Sequence, residues 1–318
     1  MNWDGRHLLD VEGLGADEIG RILSLATEFR LAGRPGFAEG TLRGANVALL
    51  FAEPSTRTRL SFELAARRLG AETYVLEPLS SSMVKGETLV DTVRNLDALG
   101  FSVLVVRHHR SGAAAVAARY FGGSVVNAGD GWHAHPTQAL LDLFTLTREL
   151  GDMHGRKIAI VGDVLHSRVA RSNIWTLTKA GAEVLLCGPR AWLRGLDSLP
   201  VSLTTDLDEA LRDADAVMGL RVQKERMAPG VSLGDYIRDY QITEPRLAQA
   251  APSARYLHPG PINEGVEVTR EVARGRRSLV LEQARNGVPV RMAVLAILAG
   301  STPTASQTPA ATYVGTRG

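Results

Sequence analysis

Ala45-Asn-Val-Ala-Leu-Leu-Phe51 runs straight into Ala52-Glu-Pro-Ser-Thr-Arg-Thr-Arg-Leu-Ser-Phe-Glu63, and this join decides the architecture. The first seven residues are a short apolar run, which reads as a buried strand. The chain turns at Pro54, and a helix starts at Ser55 or Thr56 and runs to about Leu69. A helix N-terminus offers unpaired backbone N–H groups and the positive end of the helix dipole. Ser55, Thr56 and Thr58 add hydroxyls there, and Arg57 and Arg59 add charge. From these residues alone two readings stand. One is a phosphate site. The other is an ordinary Ser/Thr helix cap followed by a solvated face.

Outward from this join, strands and helices keep alternating. Helices are expected over Ala16–Leu31, Glu87–Leu99 and Ala113–Tyr120, and strands over Thr73–Leu76, Ser102–Val106 and Ser124–Asn127. Pro78–Gly86 reads as a serine-rich loop. Pro136–Leu150 is a long helix with proline at its tolerated first position, bridging to a second unit. That unit continues through Lys157–Val161 (strand), Ser167–Lys179 (helix), Glu183–Cys187 (strand), Asp206–Arg212 (helix) and Ala216–Leu220 (strand). Gln223–Asp239 has little periodicity and reads as a loop, and Val290–Leu298 is a final apolar helix. Such alternation argues an α/β fold of two parallel-sheet domains with covered faces. We expect the first over residues 1–136, rejoined by 289–304, the second over 137–288, and a mobile Ser/Thr/Pro/Ala-rich tail over 305–318.

Bulk properties narrow the function classes. The 318 residues suit two domains, and 45% hydrophobic with 22% charged residues reads as a globular chain. No apolar run approaches a membrane span. The opening residues carry Asp4, Asp10 and Glu12 and no basic stretch leading into an apolar one, so no secretory leader is expected. A single cysteine, Cys187, cannot form an internal disulfide, reads as a buried structural thiol, and fits a cytoplasmic location. With 36 basic against 34 acidic residues, no nucleic-acid partner is suggested. Only Lys85, Lys157, Lys179 and Lys224 of the basic residues are lysines, so a lysine in a loop says more here than an arginine does.

Other segments carry chemistry. His133 and His135 read as a metal pair or as two surface histidines, with no further Cys/His cluster near them. Arg107 reads as a strand-end cation. Val161-Gly-Asp-Val-Leu-His-Ser-Arg168 lacks the G-x-G-x-x-G of a dinucleotide turn, and no G-x-x-x-x-G-K is present, so neither NAD nor a nucleotide-hydrolase loop is indicated. Arg168 and Arg221 each follow a predicted strand, where ligands of open parallel sheets bind. Two arginines suit a dicarboxylate, since guanidinium binds carboxylate through a two-bond fork.

The Ser55-Thr-Arg-Thr-Arg59 run followed by Ser61-Phe-Glu63 resembles the carbamoyl-phosphate motif of the aspartate and ornithine carbamoyltransferases. Further matches fall in the expected order: Lys85-Gly-Glu, Arg107-His, His135-Pro-Thr-Gln138, Asp163 to Arg168, Leu220-Arg-Val-Gln-Lys-Glu-Arg226 and His258-Pro-Gly-Pro261. The resemblance covers about Phe51 to Leu298. It implies transfer of a carbamoyl group from carbamoyl phosphate to an amino acid, with no cofactor and no metal. Ser55, Thr56, Arg57 and Thr58 would then hold the phosphate. Thr58, Arg107 and His135 would face the carbonyl oxygen. Gln138 and the Pro259-Gly260-Pro261 turn would face the carbamoyl NH2. Ornithine enzymes show His-Cys-Leu-Pro where this chain has His258-Pro-Gly-Pro, and this with the Arg168 and Arg221 pair points to L-aspartate. Lys85 and Gln223 complete the expected aspartate set. Read bare, the Ser80–Lys85 segment is a solvated loop. By resemblance, Ser81 and Lys85 enter a neighbouring subunit's site, implying a homotrimer. The full set of Arg57, Thr58, Lys85, Arg107, His135, Gln138, Arg168 and Arg221 argues against a non-catalytic scaffold. Regulatory subunits or a dihydroorotase as further partners stay open, as does a scaffold role alongside activity. Two positions depart from the family pattern: Ala134 stands where glutamine is common, and Glu264 where many bacterial members carry arginine.

Overall fold

The structure, a computed structural model, describes residues 5–32, 40–76, 86–222 and 232–301. Ser81, Lys85, Gln223 and the expected tail 305–318 lie outside the described residues. In the first half, α1 (Ala16–Ala32) precedes β1 (Asn46–Phe51), α2 (Thr56–Arg68), β2 (Glu72–Leu76), α3 (Leu89–Ala98), β3 (Val103–His108), α4 (Ala113–Tyr120) and β4 (Ser124–Asp130). Helix α5 (Pro136–Leu150) leads to β5 (Lys157–Val161), α6 (Arg168–Lys179), β6 (Glu183–Cys187), β7 (Ser202–Thr204), α7 (Leu207–Leu211) and β8 (Ala216–Gly219). The described residues end with α8 (Leu233–Tyr240), α9 (Glu244–Leu247), β9 (Arg255–Leu257), α10 (Arg270–Arg274) and α11 (Val280–Ser301).

Two sheets form, ordered β2-β1-β3-β4 and β7-β6-β5-β8-β9, and every strand pair is parallel. The alternation of side chains along each strand divides the apolar residues between two faces. Val47, Leu49 and Phe51 of β1 and Ile158 and Ile160 of β5 point into one continuous core, which includes α5, α6 and α11. Ala48 and Leu50 pack under α3 and α4, and Ala159 and Val161 under α7 and α8. Both sheets are therefore covered on both faces, as the near-continuous apolar strands require. Helix α11 packs against α1, α2 and α5, returning the end of the described chain to the first half.

Two readings need correction. Gln223–Asp239 is not all loop, because α8 begins at Leu233, where the Ser232 side chain accepts from the Asp235 N–H. Its buried anchors are Tyr236 and Tyr240, one turn apart, and their polar tips disguise an inward helical face. The last helix starts at Val280 rather than Val290, and Pro289 lies inside it. Proline removes one helical N–H and normally marks a boundary, which is why the pattern reads as starting after it. Here Pro289 is buried, and the flanking Gln283, Asn286 and Val290 are buried with it, so packing outweighs the lost bond. Among the described residues no helix is long and apolar enough to cross a membrane.

Candidate functional site

Strand order brings the site together. In the first sheet the chain moves from β1 outward to β2, then returns past β1 to β3. In the second it moves from β5 through β6 to β7, then returns to β8. Each reversal opens a crevice at the carboxyl ends of two neighbouring strands. Phe51 lies opposite Arg107 across the first crevice, and Val161 opposite Gly219 across the second. Arg57 and Arg107 flank one crevice, and Arg168 and Arg221 follow the two strands of the other.

At the first crevice, Ser55 is the residue preceding α2, and its side chain makes no capping hydrogen bond. Its hydroxyl is thus not used up in capping the helix. Thr56 and Arg57 are exposed, while Thr58 is buried on the inner side of the first turn. The Arg57 Nη2 donates to the Pro259 carbonyl at 2.6 Å. Gly260 follows at φ +64, and a Cβ there would overlap the Arg57 guanidinium. Glycine is thus required for the Pro259-Gly260-Pro261 turn to lie against the start of α2, and the contact joins residues 202 positions apart.

Arg107 is the penultimate residue of β3, with only 9% of its surface exposed. Its Nη1 donates to the Ala128 carbonyl at 3.1 Å and its Nη2 to Glu53 Oε1 at 2.6 Å. The same carboxylate takes Arg168, with Nη1 donating to Oε2 at 3.1 Å and Nη2 to Oε1. Burial and the neighbouring Arg168 lower Arg107 to about 10, so it stays a cation. Burial alone would raise the Glu53 carboxyl, but the bonds and charges of Arg168 and Arg107 together hold it below its ordinary value. At Gly129 (φ +116) a Cβ would come within 2.9 Å of Arg107 Nη1 and 3.2 Å of the Arg168 guanidinium. Glu53 and Gly129 are the parts of this cluster that sequence reasoning missed. The signal for Glu53 was its place inside the quoted segment. Gly129 offered none before β4 and β3 were paired.

His135 precedes α5, its backbone N–H donating to Ser172 Oγ at 2.9 Å. The imidazole is buried, and its Nδ1 finds no hydrogen-bond partner. Burial first, then the charges of Arg107, Arg168, Arg291 and Arg57, push its pKa well below the ordinary value. A neutral imidazole among four guanidiniums can donate one ring N–H to a developing oxyanion without giving up its proton. His133 differs: its Nδ1 lies 3.1 Å from Asp130 Oδ1, and that bond raises its pKa. Among the described residues no group of three His, Cys, Asp or Glu side chains could hold a metal ion. Gln138, one turn into α5, is nearly buried and donates its Nε2 to Asp142 Oδ1 at 2.9 Å.

The departures are absorbed locally. Ala134 is buried, with its N–H donating to Asp130 Oδ1 at 3.1 Å. Glu264 is exposed and pairs with Arg270 and Arg274 of α10 at 3.0 and 2.8 Å. Cys187 is buried at the end of β6, its thiol pushed up to about 12, as a structural thiol should be. The geometry as a whole offers an anion site at a helix start, donors for an oxyanion, an amide oxygen, and two cations beyond.

Known proteins share this sequence pattern and fold. Residues 6–148 match the family model described as the aspartate/ornithine carbamoyltransferase carbamoyl-P binding domain, and residues 154–298 the Asp/Orn binding domain. The chain is 51% identical over 304 residues to the aspartate carbamoyltransferase catalytic subunit of Roseiflexus sp. (strain RS-1), covering 93% of this chain and 95% of that one. It is 47% identical to the subunit of the same name from Moorella thermoacetica, over 94% of this chain and 99% of that one. Among solved structures it is similar to ornithine carbamoyltransferase from Pyrococcus furiosus, with TM-score 0.84, 30% identity, and coverage of 93% and 97%. It is similar to aspartate transcarbamoylase from Trypanosoma cruzi in complex with carbamoyl phosphate and aspartate, with TM-score 0.82, 30% identity, and coverage of 92% and 95%. Backbone likeness thus spans both acceptor types, and the sequence relatives at about half identity carry the aspartate name.

Proposed function

The chain belongs to the aspartate/ornithine carbamoyltransferase family, and from that premise we infer that it moves the carbamoyl group of carbamoyl phosphate to the amine of L-aspartate. The products are N-carbamoyl-L-aspartate and phosphate, the committed step of pyrimidine biosynthesis. One observation carries the reading: Arg57, Arg107, His135 and Arg168, far apart in sequence, meet at the paired strand-end crevices of a chain 51% identical to an aspartate-named relative.

In this reading the start of α2, with Ser55, Thr56, Arg57 and Thr58, binds the phosphate. The amine attacks the carbamoyl carbon, and negative charge grows on the carbonyl oxygen. Thr58, Arg107 and the neutral His135 donate to that oxygen, a role fixed donors perform without reorganising. Gln138 and the carbonyls of Pro259, Gly260 and Pro261 accept from the carbamoyl NH2. The departing phosphate takes the proton the amine loses. Arg168 and Arg221 fork the aspartate carboxylates, with Gln223 and a neighbour's Lys85 completing the site. Arg168 is engaged by Glu53 through two bonds in the described arrangement, so a substrate carboxylate shares or displaces that partner.

The first domain is assigned residues 1–136 with 289–304, and the second 137–288. The packing of α11 on α1 and α2 supports the return of the last helix to the first domain. Exchange of Ser81 and Lys85 between subunits makes the enzyme a homotrimer, located in the cytoplasm. The acceptor is tested by measuring the carbamoyl product with aspartate and with ornithine at equal concentration. Aspartate should react far faster, and equal rates would overturn the assignment. Mixing Lys85→Ala and Arg107→Ala subunits should restore part of the activity if sites are shared. No rescue after verified subunit exchange would rule sharing out.

A further inference from the structure

Asp142 lies on α5 one helical turn after Gln138 and is fully buried. Its Oδ1 accepts from Gln138 Nε2 at 2.9 Å and from Gln283 Nε2 at 2.7 Å. Its Oδ2 accepts from Asn173 Nδ2 at 2.9 Å. Gln283, on α11, uses its other end: Oε1 accepts the His258 N–H at 2.9 Å. The His258 Nδ1 in turn accepts the Gly260 N–H at 2.8 Å. One carboxylate thus terminates two chains of hydrogen bonds. One leads to the Gln138 amide, and the other to the turn that carries Pro259, Gly260 and Pro261.

The polarity of both chains is forced. A backbone N–H can only donate, so Gln283 must turn its oxygen to His258 and its nitrogen to Asp142. A carboxylate can only accept, so Gln138 must also turn its nitrogen to Asp142. The Gln138 oxygen is then the end left over, on a side chain that keeps 8% of its surface exposed. Burial pushes the Asp142 carboxyl up to about 6, and the group is still ionised at pH 8.

We propose that Asp142 is a positioning residue for carbamoyl recognition: by accepting from Gln138 and Gln283 it makes the Gln138 amide and the 259–261 turn present oxygen to the substrate's NH2, and so selects a carbamoyl group over a methyl ketone of the same shape. The proposal rests on the functional reading above. A merely structural role, tying α5 to α6 and α11, would weaken all ligands alike. The positioning role affects the N–H contacts selectively.

The test compares three competitive probes against carbamoyl phosphate at pH 8: phosphonoacetamide, acetonylphosphonate and inorganic phosphate. The first two differ only by NH2 against CH3. The unaltered enzyme should prefer phosphonoacetamide by about tenfold or more, since a site built to hydrogen-bond a group rejects the analogue lacking it. In Asp142→Ala that preference should fall to within about twofold of unity, with phosphate inhibition changed by less than about twofold. Asp142→Asn keeps an accepting oxygen and should restore most of the preference. If Asp142→Ala does not fold, as judged by circular dichroism, Gln283→Met cuts the branch to His258 alone and should lower the preference by about threefold. A folded Asp142→Ala or Gln283→Met with the full preference would overturn the proposal, as would an unaltered enzyme with none. Failure of the unaltered enzyme to use carbamoyl phosphate at all would instead overturn the functional reading.

Discussion

Glu53 and Asp142 each bond residues of the same candidate site, the first partly exposed at what we call its mouth and the second fully buried in what we call its floor. Glu53 keeps 29% of its side chain exposed and is held by two guanidiniums, which outweigh desolvation and keep it a carboxylate. Asp142 has no exposed surface and is held by three neutral amides, so desolvation wins and its pKa rises to about 6. The three amide donors and, after them, the charge of Arg291 offset this only in part, and Arg291 is itself buried and lowered to about 9. Cations at a wet mouth can exchange one carboxylate for another, as binding an anionic substrate requires. Amides in a dry floor cannot, because a buried polar group left without a partner costs about 1–3 kcal/mol. The mouth is built to trade partners and the floor to keep them.

Variants should separate the two regions. At the mouth, Arg57→Ala removes a charge-assisted donor from the α2 start, and kcat should fall by about 10²–10³-fold with the melting temperature nearly unchanged. Steady-state kinetics beside a thermal melt checks this, and near-normal turnover would reduce that helix start to a cap. Beneath the floor, Asn173→Ala deletes the donor to Asp142 Oδ2, and stability should drop by about 1–3 kcal/mol while kcat holds within about threefold. Denaturant unfolding measures it, and a large kcat loss at unchanged stability would erase the distinction between the regions.

Acid titration gives the comparison opposite signs. Burial raises the folded Asp142 carboxyl to about 6, above its ordinary 3.8, so folding favours its protonated form. Stability should therefore fall as pH rises from about 4 to about 6, and Asp142→Asn should gain on the parent chain across that window. Glu53 is lowered from 4.5, so its contribution is present above that pH and lost as pH falls through its folded value. Glu53→Gln should accordingly lose ground to the parent as pH rises toward 4.5. Unfolding free energies at a series of pH values decide both, and parallel slopes would contradict the scheme. The smallest effect is expected at Glu264→Arg, where the charge is satisfied at the surface by Arg270 and Arg274. The KM values for both substrates should change by less than about twofold, as for other exposed ion pairs.

The two carboxylates were not equally legible in the chain. Glu53 sits inside the segment that announces the site, and only its partners were hidden. Asp142 lies between Leu141 and Leu143 on a helix whose neighbours Leu140 and Phe144 are also apolar, and a charge in such a run is itself a signal. What it binds could not be read, because Asn173 and Gln283 are 31 and 141 positions away. Arg168 and Arg221 could be assigned because a residue just past a buried strand must emerge at the sheet's carboxyl edge. Helix α8 was passed over because tyrosines form its inner face.

Order of residues alone was enough for the parallel α/β class, the strand-to-helix join at the start of α2, and the placing of arginines and a histidine at element ends. Those features are local: apolar periodicity, a turn, a helix terminus. Folding decided which ends meet. The reversal of strand order beside β1 and beside β5 brings four distant segments to shared crevices, and only there do Glu53, Gly129, Asp142 and Gln283 acquire partners. The physical reason is that a hydrogen bond or ion pair depends on distances of about 3 Å, and separation along the chain does not constrain such distances until the sheets have formed.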